Sequence, residues 1–249
     1  MTTEFVDGLT FHEILARSQE AGQILPPSLA LELVEQLSEG LQYAHTLVDA
    51  AGQGLGLVLR DLKPANLILS RDGMAKATSN LRESTMTGTA KGTLVYMSPE
   101  QVRGVRDISA ASDLFAVGAG LYELVTGQRL FEANSVMSIM FAAVAGVDPE
   151  KLAEAEAILP GVGPILGRCV AQEPADRWAS ANDLGRALRA LRETMSEPPN
   201  AARFVARALL HGPHRVDPQE ASTRSRDLRA FVEQVRTLVG SKDPQLHSD

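Results

Sequence analysis

Cysteine is almost absent from this chain: Cys169 is the only one in 249 residues, so no internal disulfide can form. It lies in the apolar helical stretch GVGPILGRCV and reads as a buried structural thiol. With no disulfide framework, the expected compartment is the cytoplasm. Lysine is also scarce, five against a Lys+Arg total of 24, an arginine bias that fits a GC-rich bacterial genome. No run approaches the roughly 18 apolar residues of a membrane span. The opening MTTEFVDG has neither the basic nor the apolar region of a secretory signal. A net charge of −7 with no concentrated basic run excludes nucleic acid as the main partner. The five histidines show no ligand spacing with each other or with Cys169, so no metal site is read from them. There is no internal repeat.

What is present is mostly helical. A hydrophobic share of 44% in a chain this long can bury a real core. Thr10-Phe11-His12-Glu13 has the spacing of a capping box. Pro26-Pro27-Ser28 opens a long helix whose Leu29, Leu33, Val34, Leu37, Leu41 and Ala44 fall on one face. Two short apolar runs, 55–59 and 67–69, read as strands, and Arg71-Asp72-Gly73 as a tight turn into 74–78. Residues 79–97 lack periodicity and read as a loop. Residues 110–126 are apolar on nearly every side, the pattern of a helix at the centre of a domain. Further helices are expected near 134–145, 163–172 and 179–194. Pro198-Pro199 marks a boundary, dividing the chain into a domain over 1–195 and a helical extension over 196–249. In the extension, Leu228, Phe231, Val232, Val235, Leu238 and Val239 form an apolar stripe opposite Arg229, Glu233 and Arg236.

Several ordered motifs then resemble one family. Arg60-Asp61-Leu62-Lys63-Pro64-Ala65-Asn66 resembles the catalytic loop of protein kinases. Gly92 to Glu100, ending Ser98-Pro99-Glu100, resembles the end of their activation segment. Ser112-Asp113-Leu114-Phe115 is similar to the start of the family's central buried helix, and Arg177 to the arginine that pairs with the Glu of Ala-Pro-Glu. The chain is thus identified, from about Glu4 to Leu191, with the large C-terminal lobe of bacterial Ser/Thr kinases of the eukaryotic type. The fold implied is mainly α, with a short β-hairpin region and extra C-terminal helices. The resemblance implies substrate, phosphate and metal roles for Asp61, Lys63 and Asn66 respectively, and scaffold roles for Glu100, Asp113 and Arg177. Ile68 aligns with the apolar floor of the adenine site. Thr85, Thr87 and Thr89 fall where the family is often phosphorylated, with Arg60 able to receive the charge.

The departures matter as much. Glu4 to Gly8 resembles the hinge between lobes, so the small N-terminal lobe is expected to be missing. No Gly-rich loop, strand lysine or helix glutamate is present to grip ATP. Counting from Asp72-Gly73, the metal-binding Asp of Asp-Phe-Gly falls at Ser79, a neutral hydroxyl and a poor ligand for a hard dication. Leu59 replaces the usual His, and Asn80 the Phe that packs on it. The expectation is a pseudokinase C-lobe that binds or regulates protein, with Asp61, Lys63 and Asn66 vestigial and no cofactor. The alternative is a Ser/Thr protein kinase using ATP and magnesium, split or truncated from its N-lobe. A third reading is a structural self-assembling subunit. With the N-lobe absent, the upper face around Ile68 would be bare. A protein partner, a second copy, or the chain's own helix from Leu228 to Val239 is expected to cover it.

Overall fold

In a computed structural model, residues 6–22, 24–77 and 94–196 are described. Ser79, Asn80, Thr85, Thr87, Thr89 and the stripe from Leu228 to Val239 lie outside them.

The architecture is mainly helical, as the periodicity requires. Strand β1 (Gly8–Thr10) leads directly into α1 (Phe11–Glu20). The turn between them is closed by the capping box: Glu13 N–H donates to Thr10 Oγ1 at 3.1 Å, and Thr10 N–H to Glu13 Oε2 at 2.7 Å. Helix α2 (Pro27–His45) starts on its prolines, which need no amide partner at a helix start. Strands β2 (Leu67–Ser70) and β3 (Ala75–Ala77) complete an antiparallel sheet in the order β1-β2-β3, with Leu9 opposite Leu69 and Ile68 opposite Lys76. Gly8 is required by closeness: a Cβ there would sit 2.2 Å from the Leu69 carbonyl oxygen. The sheet is tied to α2 by Gln36, whose amide accepts from Ala75 N–H at 2.7 Å and donates to Gly73 O at 3.1 Å.

Beyond the undescribed segment come α3 (Pro99–Val102), α4 (Ala110–Thr126), α5 (Val136–Ala145), α6 (Pro149–Ile158), α7 (Val162–Cys169) and α8 (Ala181–Glu193). Helix α4 runs through the middle, with fourteen of its residues buried, among them Phe115, Leu121 and Tyr122. Helices α2 and α7 pack against it, and α8 lies along α2. The all-round apolar pattern at 110–126 therefore locates the centre of the core.

Three expectations about elements change. Residues 55–59 are not a strand: the chain there closes a small hairpin-like loop through the Val48–Gly54 bridge and Leu55 N–H to Leu47 O at 2.8 Å. Leu47, Leu55 and Leu57 pack with Ala44 as a satellite cluster, which explains their apolar run without a sheet. Helix α6 was not expected, although Asp148-Pro149 is a cap followed by proline at the first helical position. Strand β1, which was not expected, starts at Gly8, the end of the hinge-like segment, and runs into the capping residue Thr10.

Candidate functional site

The catalytic-loop motif lies between the satellite loop and β2, and its backbone is strained at one residue. Arg60 has φ of 63°, a conformation that non-glycine residues rarely adopt. Asp61 N–H donates to Leu59 O at 2.8 Å across it, the bond of a γ-turn with positive φ at its centre. Such a turn persists only where the surroundings over-determine it, and here they do. Asp113, 1% exposed in the first turn of α4, accepts Leu59 N–H on Oδ2 and Arg60 N–H on Oδ1, each at 2.9 Å. His45 Nε2 lies 2.9 Å from Asp113 Oδ2, and Gln101 Nε2 donates to Arg60 O at 3.0 Å. Groups from α2, α3 and α4 thus converge on one backbone kink.

The kink places three side chains together. Asn66, buried in a short 3-10 turn (Pro64–Asn66), donates from Nδ2 to both Asp61 O and Asp61 Oδ2 at 2.9 Å. Lys63 Nζ is 3.1 Å from Asp61 Oδ1. Both oxygens of the Asp61 carboxylate are therefore engaged within the loop, while its side chain stays 40% exposed. Ile68 follows in β2 but is only 6% exposed and lies outside the main core cluster. This side chain, expected to need a cover from a partner, a second copy or the chain's own tail, is buried within the single chain.

A second constellation holds the segment after residue 94 to the body. Arg177, 2% exposed, makes a two-pronged pair with Glu100: Nη1 to Oε1 at 2.7 Å and Nη2 to Oε2 at 2.8 Å. Its other donors reach the carbonyls of Ala171, Ala111 and Gln172, and its plane lies 5.0 Å over the Phe115 ring. Burial pushes the Glu100 carboxyl upward, but hydrogen bonds from Arg177 and the Ser112 hydroxyl outweigh it and hold it at about 2. Tyr96 is fixed by a hydrogen bond to Glu123, and burial followed by the Glu123 charge raises its phenol. Cys169 is fully buried and its thiol is pushed up to about 12, as an inert structural cysteine requires.

The structure thus brings Asp61, Lys63 and Asn66 together, separates them from the Glu100–Arg177 pair, and joins the two through Asp113 and Gln101. Sequence reasoning missed His45 and Gln101. His45 was legible: Leu37, Leu41 and His45 are spaced by four on the buried face of α2, so the histidine needed a polar partner inside. Gln101 gave no such signal. Among the described residues, no group of three or more His, Cys, Asp or Glu side chains could hold a metal ion. No described helix is long and apolar enough to cross a membrane.

A family model described as protein kinase domain matches residues 1–211. The serine/threonine-protein kinase PknL of Mycobacterium tuberculosis is 32% identical over 205 residues, covering 80% of this chain and 48% of that protein. Serine/threonine-protein kinase drp72 of Corynebacterium efficiens is 33% identical over 187 residues, covering 72% of this chain and 34% of that protein. The chain spans between about a third and a half of the length of these relatives. The crystal structure of the Mycobacterium tuberculosis PknI kinase domain aligns with a TM-score of 0.57 at 23% identity, covering 76% of this chain and 64% of that one, a likeness of fold.

Proposed function

Because this chain belongs to the protein kinase domain family, we propose that it is a pseudokinase C-lobe, a protein-binding or regulatory module rather than a phosphotransferase. The observation that carries this reading is Ser79 in place of the metal-binding aspartate two residues after β3. Phosphoryl transfer rests on metal ions that neutralise charge on the phosphates, and the family holds them with an aspartate and an asparagine. Here the aspartate is replaced by a hydroxyl, and the Asn66 amide is turned onto Asp61. The residues present do not fit magnesium–ATP, and Ile68, the adenine-floor position, is buried. The scaffold part of the family pattern, Glu100, Asp113 and Arg177, supports a folded module whose ligand is protein. The net charge of −7 favours neither nucleic acid nor an anionic membrane as its target.

A second reading is favoured by one observation. Asp61 holds Asn66 at 2.9 Å and Lys63 at 3.1 Å on a preorganised loop, as a serine/threonine kinase that takes its small lobe from elsewhere would need. The two readings separate in a transfer assay with labelled ATP, magnesium and a generic basic protein substrate. The proposal expects no transfer above that of Asp61→Asn. Transfer that Asp61→Asn abolishes would establish the kinase reading instead.

A further inference from the structure

Helix α5 is out of keeping with the rest of the surface. Its sequence, VMSIMFAAVA, has no charged residue and a single polar one, Ser138. A helix apolar on all sides belongs in a core. Yet only Ile139 and Ala143 are buried, while Met137 is 73% exposed, Phe141 75% and Val136 39%. Met137 and Phe141 are four residues apart and stand side by side on the helix surface. Val105, 47% exposed, follows α3, on which α5 packs. This is the apolar surface that the sequence led one to seek at Ile68.

We propose that α5 is the docking face for residues 228–239 of the same chain. The two match in chemistry and length. The stripe of Leu228, Phe231, Val232, Val235, Leu238 and Val239 carries no charge, and its charged residues Arg229, Glu233 and Arg236 fall on the opposite side of a helical wheel. In the helix that its apolar periodicity predicts, the twelve-residue segment would span about 18 Å and the ten residues of α5 about 15 Å.

Magnitudes favour the tethered segment over a separate molecule. Residues 197–227 join the last described residue to the stripe and reach at most about 100 Å. A domain of this size is about 40 Å across, so every part of its surface is within range. A tethered segment meets its site at an effective concentration on the millimolar scale, which a free partner with the same contacts must match. Four exposed apolar side chains also offer far less than the roughly 800 Å² per partner of a stable dimer. The inference does not depend on whether the catalytic loop is active.

Cysteine pairing in the full chain tests it directly. Cys169 is buried and does not compete. The double variant Phe141→Cys/Val235→Cys, mildly oxidised at low micromolar protein, is expected to form a disulfide within one chain, at least tenfold faster than Phe141→Cys/Glu233→Cys. A disulfide between two chains would assign the face to a second copy and overturn the proposal. No disulfide, or equal rates for the two pairs, would overturn it as well. Phe141→Asp gives an independent reading at an exposed position. Protease cleavage next to Phe231 is expected to rise at least tenfold, and an unchanged rate contradicts the docking.

Discussion

Arg177 has no exposed donor left: two bind Glu100 and the rest bind carbonyls, in a pocket where the guanidinium side chain is 0% accessible. Removing one partner of such a pair strands the other charge in the interior, which costs about 3–5 kcal/mol. Arg177→Ala should lose that much in urea unfolding. Asp61→Ala should lose only about 1–2 kcal/mol, since its part-exposed carboxylate gives up one hydrogen bond to Asn66 and an ion pair to Lys63 that solvent screens. Equal losses would show that the loop and the pair are not separate devices. Acid extends the test. The folded Glu100 carboxyl is held at about 2, below its ordinary 4.5. Its stabilisation is therefore fully present above about pH 4.5 and fades as pH falls towards 2. Unfolding free energy measured from pH 6 to pH 3 should fall, and Glu100→Gln should flatten that slope. Glu100, Asp113 and Arg177 were legible because each sits in a short motif with fixed order. The burial of Ile68 was not, because it depends on long-range packing rather than on the strand's own pattern.

At the scale of elements, α4 was legible to the residue because burial on all sides leaves one kind of pattern and Gly127 ends it in a left-handed cap. The run at 55–59 was misread because a satellite cluster and a strand both call for a short apolar stretch, and only long-range pairing distinguishes them. The two glycines inside α4 look alike in sequence but differ in their surroundings. At Gly118 a Cβ would lie 2.4 Å from Cys169 Cβ, where α7 presses against α4. At Gly120 nothing lies within 4 Å, and the position borders a small apolar void shared with Phe11, Leu37 and Leu67. Gly120→Ala should raise stability by roughly 0.5–1 kcal/mol through helix propensity, seen as a higher melting temperature. Gly118→Ala should lower it by about 1–3 kcal/mol through overpacking. If both substitutions shift melting in the same direction, the packing of α7 on α4 is not as described.

Across the whole molecule, the described residues form one helical body in which α8 closes onto α2 and the segment after residue 94 is locked by Arg177. The described part of that body runs to Ser196, and a chain ending there is expected to unfold in a single cooperative transition by circular dichroism. A broad or multi-step transition would make the remaining residues part of the core. The chain belongs to the protein kinase domain family, and the proposed function holds that it keeps the scaffold of that family without its metal chemistry. The most direct test of that proposal is the melting temperature of the full chain in 1 mM ATP, with and without magnesium. A micromolar site would stabilise the fold by about 4 kcal/mol under those conditions. The account predicts no magnesium-dependent rise; a clear upward shift that requires magnesium would contradict it.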